Sequence, residues 1–481
     1  MKRFYIKFLT AILIASITGI SSNTAQAIGF KHKKNSQAIV VSKTSKKDYN
    51  IDNRAKYQND VHSVFSLDDC IRIAIEYNPS IQASFYNQDA YKSRIGQAWA
   101  NYFPSIDAGV ELSRTGNHYN KEIPPYYRRS VYNTSSYVPS VSANMLIFDF
   151  GKTKATADMA KRQYEGAQEN TKENINIIIY DIKATYYNIL FAQAQVHVYQ
   201  DTVKDYELQL SQAKGFYEYG KKPKLDIVTA EYNLGKAKLN LVKAEEILKV
   251  AKIRLSKIMG IPDYTNYELS DEMTLNKFGI NSDDAIKLAF ELRPELISAQ
   301  KEMEAAKMNL RAARRNYTPN IGIYGSYGNN LGSEYDVRTG QIGVGLNYNG
   351  LNILRIKKQI DEARSTYNMT KARYQEVKDT VYFNVKKCYT ELQTASEAIV
   401  MAKLALDQAK EQYRQVTGRY KAGVGDAIEL KDGENTYLNA RLDFYNAILN
   451  YNVTAANLEQ EVGIPLKQIE EKVIDITRED L

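Results

Sequence analysis

Proline sets the outline of this chain. The ten prolines stand at 79, 104, 124, 125, 139, 223, 262, 294, 319 and 465, and none lies within 140–222, 224–261 or 320–464. Proline lacks the backbone donor and clashes with the preceding turn, so helix interiors exclude it and first turns accept it. This spacing predicts short helices over 67–77 and from Pro79 to before Pro104. A β region follows, then a helix over 151–218, a tight turn, and a helix over 226–259. The pattern then recurs, with helices over 282–292, 294–317, 353–420 and 429–461 around a second β region. A helix of some 68 residues is roughly 100 Å long at 1.5 Å per residue. No globular core is that deep.

The recurrence is an internal duplication. Leu67-Asp68-Asp69-Cys70-Ile71-Arg72-Ile73-Ala74 matches Ser282-Asp283-Asp284-Ala285-Ile286-Lys287-Leu288-Ala289, 215 positions later. At that offset Pro79 meets Pro294 and Pro104 meets Pro319. At an offset of 203, Gly220 meets Gly423, Asp226 meets Glu429, Glu231 meets Glu434, and Gly260-Ile261-Pro262 meets Gly463-Ile464-Pro465. The two repeats are therefore 66–280 and 281–465, with a tail over 466–481. A unit of about 200 residues is too long for a solenoid repeat. Two copies of one module, packed as pseudo-equivalents, are expected.

The long helices carry a coiled-coil seam. In the second repeat it reads Ile356, Ile360, Ala363, Tyr367, Thr370, Tyr374, Val377, Val381, Val385, Cys388, Leu392, Ala395, Ile399, Ala402, Leu406, Ala409, Tyr413, Val416, Tyr420. Steps of four and three alternate, apart from two successive fours at 377–381–385. That is a heptad seam with a four-residue insertion, which relaxes the supercoil locally. The two shorter helices of each repeat, laid end to end, nearly cover one face of the long one. The shortfall leaves a belt for helices 67–77 and 282–292 and the 262–280 linker.

The β regions alternate. Strands are expected at 105–117, 137–148, 320–330 and 340–349, with Ile106, Ala108, Val110 and Leu112 apolar between polar Asp107 and Glu111. Ile342, Val344 and Leu346 alternate with Gln341, Gly343 and Gly345 in the same way. Nine to twelve alternating residues match a tilted membrane-spanning strand. Four strands cannot close a barrel, and open edges are not tolerated in lipid. The chain must then oligomerise; two, three or four copies all meet that need.

The N-terminus points to export. Lys2, Arg3 and Lys7 precede an apolar run from Phe8 to Ile20, and Ala25-Gln26-Ala27 has the small-x-small form of a cleavage site. Residues 1–27 read as a secretory signal peptide. Residues 28–65, rich in Lys, Ser, Asn and Gln, read as a flexible basic leader. An exported chain rarely meets nucleic acid, so none is expected as a partner.

Little suggests catalysis or metal binding. There is no P-loop, nucleophile elbow, HExxH or dinucleotide fingerprint. Two Cys and four well-separated His leave no zinc-ligand spacing. Asp68-Asp69 and Asp283-Asp284 open helices, where the macrodipole favours acids. Cys70 and Cys388 are not repeat-equivalent and read as free thiols. No cofactor, metal or enzymatic activity is expected.

Taken in order, the motifs resemble the TolC-type outer-membrane efflux protein family. They are the opening from Leu67 to Pro79, Phe103-Pro104-Ser105 before a strand, Ile147-Phe148-Asp149-Phe150-Gly151 entering the long helix, and a Gly followed six residues later by Asp or Glu at each hairpin tip. The resemblance covers 66–465. It implies a mostly α chain with a transmembrane β-barrel: a homotrimer with twelve strands, four per chain, continued by a long periplasmic α-helical coiled-coil tunnel. It implies residence in the outer membrane of a Gram-negative bacterium, extending into the periplasm. It also implies partners: a periplasmic adaptor, an inner-membrane transporter and outer-membrane lipid. The function implied is the exit duct of a tripartite efflux or type I secretion system. A non-conducting structural envelope protein or receptor with a barrel anchor is the alternative.

The tips are Tyr219-Gly220-Lys221-Lys222-Pro223-Lys224-Leu225-Asp226 and Tyr420-Lys421-Ala422-Gly423-Val424-Gly425-Asp426-Ala427-Ile428-Glu429. Glycine supplies the left-handed residue that ends a helix, and an acid starts the next. By resemblance, Gly220, Lys221, Gly423, Val424, Gly425 and Asp426 contact the adaptor. Glu429 and Asp432, three apart and so on one helix face, match an acidic ring at the tunnel entrance. Asp226 and Tyr420 match a pair that latches that entrance. Gly425 stands where one family member carries a latch arginine, so that part of the latch is expected to be missing.

Overall fold

The computed structural model describes residues 63–116, 133–262, 264–271, 281–331 and 337–464. The expected signal peptide, the leader up to residue 62, the linker over 272–280 and the 466–481 tail lie outside them. The described elements are β1 (Ser63–Phe65), α1 (Leu67–Tyr77), α2 (Pro79–Trp99), β2 (Ser105–Gly116), β3 (Asn133–Phe148), α3 (Lys152–Glu218), α4 (Lys224–Met259), β4 (Tyr267–Leu269), α5 (Ser282–Leu292), α6 (Pro294–Arg314), β5 (Asn320–Asn330), β6 (Val337–Asn347), α7 (Ile353–Lys421) and α8 (Ala427–Val462). Among these residues, no helix is long and apolar enough to cross a membrane.

The two repeats carry helices of matching length. α1 and α5 have 11 residues each, α2 and α6 have 21, and α4 and α8 have 36. The long helices α3 and α7 have 67 and 69. Pro79 and Pro294 each open a helix at its first turn. Short 3₁₀ turns, Ala100–Tyr102 and Arg315–Tyr317, finish α2 and α6 before the strands begin.

In each repeat the two shorter helices share one long helix. α2 packs on α3 near the sheet, where Thr171 donates to the Ser84 carbonyl and Asn174 to that of Ser80. α4 covers the far half of α3, with Lys238 paired to Glu207 at 3.1 Å. α6 packs against both α3 and α7, and α8 against both as well, so the second repeat closes onto α3. The ten buried residues of α7, from Ile356 to Tyr420, all lie on the seam read from the sequence.

Between α2 and α4 sits the belt. α1 inserts Cys70, Ile73 and Ala74 against Ile182, Tyr186, Leu255 and Met259. Ser66 and Asp69 cap α1 reciprocally, so the Asp69 carboxylate is structural. Here the structure corrects the leader boundary. Ser63–Phe65 is not free chain; it forms β1, paired in parallel with β4. The physical reason is Phe65, buried against Tyr264 and Tyr267 with ring centroids 6.1 and 5.5 Å away. Cys70 and Cys388 are free, buried thiols. Burial pushes Cys70 up to about 12 and Cys388 up to about 11.

The strands form one antiparallel sheet in the order β2-β3-β5-β6. β3 begins at Asn133 rather than 137, and β6 covers 337–347 rather than 340–349. Ladder pairing extends β3 past the apolar alternation, through Ser135 and Ser136 opposite Arg114 and Ser113. The register puts Val110, Val141, Tyr327, Ile323 and Val344 on one face, all exposed. The other face carries Asp107, Ser142, Ser326 and Gln341. β2 and β6 each have one partner within the chain, so each leaves an open edge.

Candidate functional site

The helical hairpins end in turns built alike. At the first, the Gly220 amide donates to Tyr217 and that of Lys221 to Phe216. At the second, Gly423 donates to Tyr420 and Val424 to Arg419. Both are the paired closing bonds of a glycine-terminated helix, with Gly220 at φ 69° and Gly423 at φ 78°. Neither conformation suits a residue with a Cβ.

Beyond that the tips diverge. Lys221 and Lys224 are exposed, Tyr219 and Leu225 are exposed too, and Pro223, preceding α4 at Lys224, gives it no side-chain cap. At the second tip Asp426 caps α8, accepting from the Ile428 amide. Gly425 is buried, and its amide adds a second bond to the Arg419 carbonyl at 3.0 Å. A Cβ there would lie 2.7 Å from the Tyr420 nitrogen and 2.9 Å from the Arg419 carbonyl carbon. The position expected to lack a latch arginine is therefore one where the backbone leaves no room for any side chain. Val424 stays exposed.

The two candidate latch residues come near one another. Tyr420 is buried with Val416 and Leu430, edge-on to Phe216 of the first hairpin at 6.2 Å. Burial first, and the charge of Asp226 second, hold its hydroxyl above the usual range. Within the chain the two interact through charge, with no hydrogen bond joining them among the described residues.

The candidate acidic pair is split. Arg419 donates to Glu429 at 2.7 Å, while Asp432 is exposed and outside any ion pair among the described residues. Arg419 is a residue that sequence reasoning missed. Its signal was available: a base just inside one helix end, facing an acid in the first turn of the next across a five-residue turn.

A second missed feature lies just above the tip, where α8 and α7 meet α3. Glu434 is 4% exposed. One oxygen accepts from Gln209 at 3.0 Å, and the other has no partner. Burial is the main cause that raises this carboxyl to about 7; the Gln209 hydrogen bond opposes it, and the Asp205 charge adds to it. Arg441 on α8 pairs with Asp201 on α3 at 3.0 Å. Nothing in the sequence separated Glu434 from the solvated glutamates around it. Among the described residues, no group of three His, Cys, Asp or Glu side chains could hold a metal ion.

The family model described as outer membrane efflux protein matches residues 70–261 and again 285–463, one match per repeat. The chain is similar to the probable efflux pump outer membrane protein TtgC of Pseudomonas putida, 20% identical over 411 residues, 83% of each chain. It is similar to the alkaline protease secretion protein AprF of Pseudomonas aeruginosa, 21% identical over 82% of this chain and 84% of that one. Among solved structures it resembles the Campylobacter jejuni CmeC outer membrane channel, with TM-score 0.71 and 15% identity over 94% and 97% of the two chains.

Proposed function

The chain belongs to the outer membrane efflux protein family, and from that premise we propose that it is the outer-membrane exit duct of an efflux or type I secretion system. A passive conduit needs no catalytic group. Relatives named for antibiotic efflux, toluene efflux and protease secretion support a shared exit route for different cargoes. Substrate choice then falls to the inner-membrane transporter, reached through a periplasmic adaptor.

One observation carries this reading. The four-stranded sheet exposes an apolar face and leaves both edges unpaired. Unpaired edges are not tolerated in lipid, and eight or more strands are needed for closure. Three copies would close a twelve-stranded barrel by pairing β2 of one chain with β6 of the next. The paired hairpins would then continue the barrel as a periplasmic tunnel with their tips at the entrance.

At that entrance Asp432 would dominate the ring of charge, because Arg419 offsets Glu429 within each chain. Tyr420 and Asp226 would latch the closed state by seating the second hairpin on the first. The turn residues Gly220, Lys221, Gly423, Val424, Gly425 and Asp426 would meet the adaptor.

Conductance of the purified chain in a planar bilayer, with cross-linking in detergent, tests the reading. Trimers that conduct with cation preference are expected, and Asp432→Ala should weaken that preference more than Glu429→Ala. A stable monomer, or a trimer with no conductance, would overturn the duct and favour a non-conducting envelope protein.

A further inference from the structure

Where the long helices leave the sheet, the chain forms an open-sided cavity of about 540 Å³. Leu146, Asn320 and Asn347 line it from the strands, and the register places all three on the polar face of the sheet. Lys152 and Arg355 line it from the first turns of α3 and α7, and Arg315 from the turn that follows α6. Among the described residues, none of these three cations makes an ion pair.

One carboxylate lines the cavity, and it is already engaged. Asp149 is buried and accepts from the Tyr102 hydroxyl at 2.8 Å, the Gly151 amide at 3.1 Å and the Thr153 amide at 2.6 Å. Those bonds cap α3. Asn349, just before α7, also lines the cavity and carries no charge. The first repeat thus supplies one carboxylate at its junction, and the second supplies none. The remaining polar lining is uncharged: amides, including Asn101, Asn316 and Gln359, and the hydroxyls of Thr153, Thr156 and Thr318; Asn316 donates to Gln359 at 3.1 Å.

Two guanidiniums and an ammonium around amide donors make the donor set that carboxylates and phosphates require. Arginine binds such groups through two parallel hydrogen bonds, and lysine adds a point charge. We propose that this junction is a binding station for anions, in which Lys152, Arg315 and Arg355 hold a carboxylate- or phosphate-bearing solute on the inner wall of the conduit. The placement on the inner wall rests on the duct reading, since it takes the apolar face of the sheet as the lipid-facing one. The station would prefer anions, whereas the entrance would attract cations. A solute in transit would meet charge of opposite sign at the two ends of the helices.

Inorganic triphosphate, titrated calorimetrically into the full-length protein in detergent at low salt, is the direct test. Saturable binding to the wild type is expected. Arg315→Gln with Arg355→Gln should weaken it at least tenfold, while Lys236→Gln with Lys257→Gln on the remote helix α4 should leave it unchanged. No binding, equal binding in the arginine variant, or equal weakening by both pairs would overturn the station. Bilayer conductance of the same preparations separates the two readings: binding lost with the arginines in a protein that never conducts sustains the site and overturns the duct.

Discussion

The two hairpins have the same helix plan and opposite surroundings. At the offset of 203, Tyr217 corresponds to Tyr420, Glu231 to Glu434 and Lys214 to Thr417. Tyr217 is exposed and Tyr420 is buried. Glu231 lies in solvent, 4.0 Å from Lys214. Glu434 is buried, and Thr417, standing where the lysine would be, brings no charge to pair with it. Duplication preserved the spacing that makes a hairpin and left each copy to adapt to its neighbours. The second hairpin packs inward on α3. The first turns Val228, Tyr232, Leu239, Val242 and Val250 of α4 outward, all exposed. A shared ancestral position therefore says little about chemistry until its neighbours are known.

The sharpest test of that contrast is pH. Glu434 has a carboxyl raised from 4.5 to about 7 in the folded chain. Below pH 4.5 both folded and unfolded forms hold the proton, and the residue is neutral to stability. As pH rises towards 7 the unfolded form ionises first, and stability falls; above 7 the penalty is constant. At about 1.4 kcal/mol per unit, it approaches about 3 kcal/mol. Glu434→Gln should remove most of that penalty, stabilising the protein at pH 8 and little at pH 4.5 in denaturant titrations. Glu231→Gln should change neither value. Equal pH profiles for the two variants would break the contrast.

A smaller effect is expected at the turns. Gly425 corresponds to Lys222. Gly425→Ala presses a Cβ onto backbone atoms and should cost about 1–3 kcal/mol as an overpacking change. Lys222→Ala, at a partly exposed position, should stay within about 0.5 kcal/mol. Hydrogen exchange of the Val424 and Gly425 amides would localise the first effect to the second tip.

The smallest effect belongs to Arg419. Its pair with Glu429 is largely exposed, and such pairs contribute about 0.2–1 kcal/mol. Arg419→Gln should barely move stability, yet raise cation preference in bilayer recordings by freeing Glu429. Unchanged selectivity would show that the Glu429 charge does not reach the conduction path.

How much of this was legible depends on how local the signal is. The helices run where proline is absent, because one residue type vetoes helix interior wherever it stands. The seam of α7 was legible because burial on a long helix repeats every three or four residues, so Val381, Val385 and Cys388 identify one another. Strand ends were less so: Ser135 and Ser136 join β3 through backbone pairing that side-chain alternation does not record. At the tips the turn glycines were legible from local chemistry. The surroundings of Glu434 and Gly425 were not, since they depend on α3 and on a carbonyl six residues away.

The short parallel pair of β1 and β4 bears on the order of folding. Three residues at 63–65 meet three at 267–269, so residues 66–266, most of the first repeat, form a loop that this pair closes. The entropy of closing a loop rises only with the logarithm of its length, but it must be met before six residues of pairing and the Phe65 contacts return anything. The helices between need no such search, because their contacts are local and along one axis. The clasp should therefore form late, after α1, α3 and α4 have built the surface that receives Phe65. It would also be the first element to open in the native state, a latecomer whose protection from exchange reports that everything inside the loop is in place.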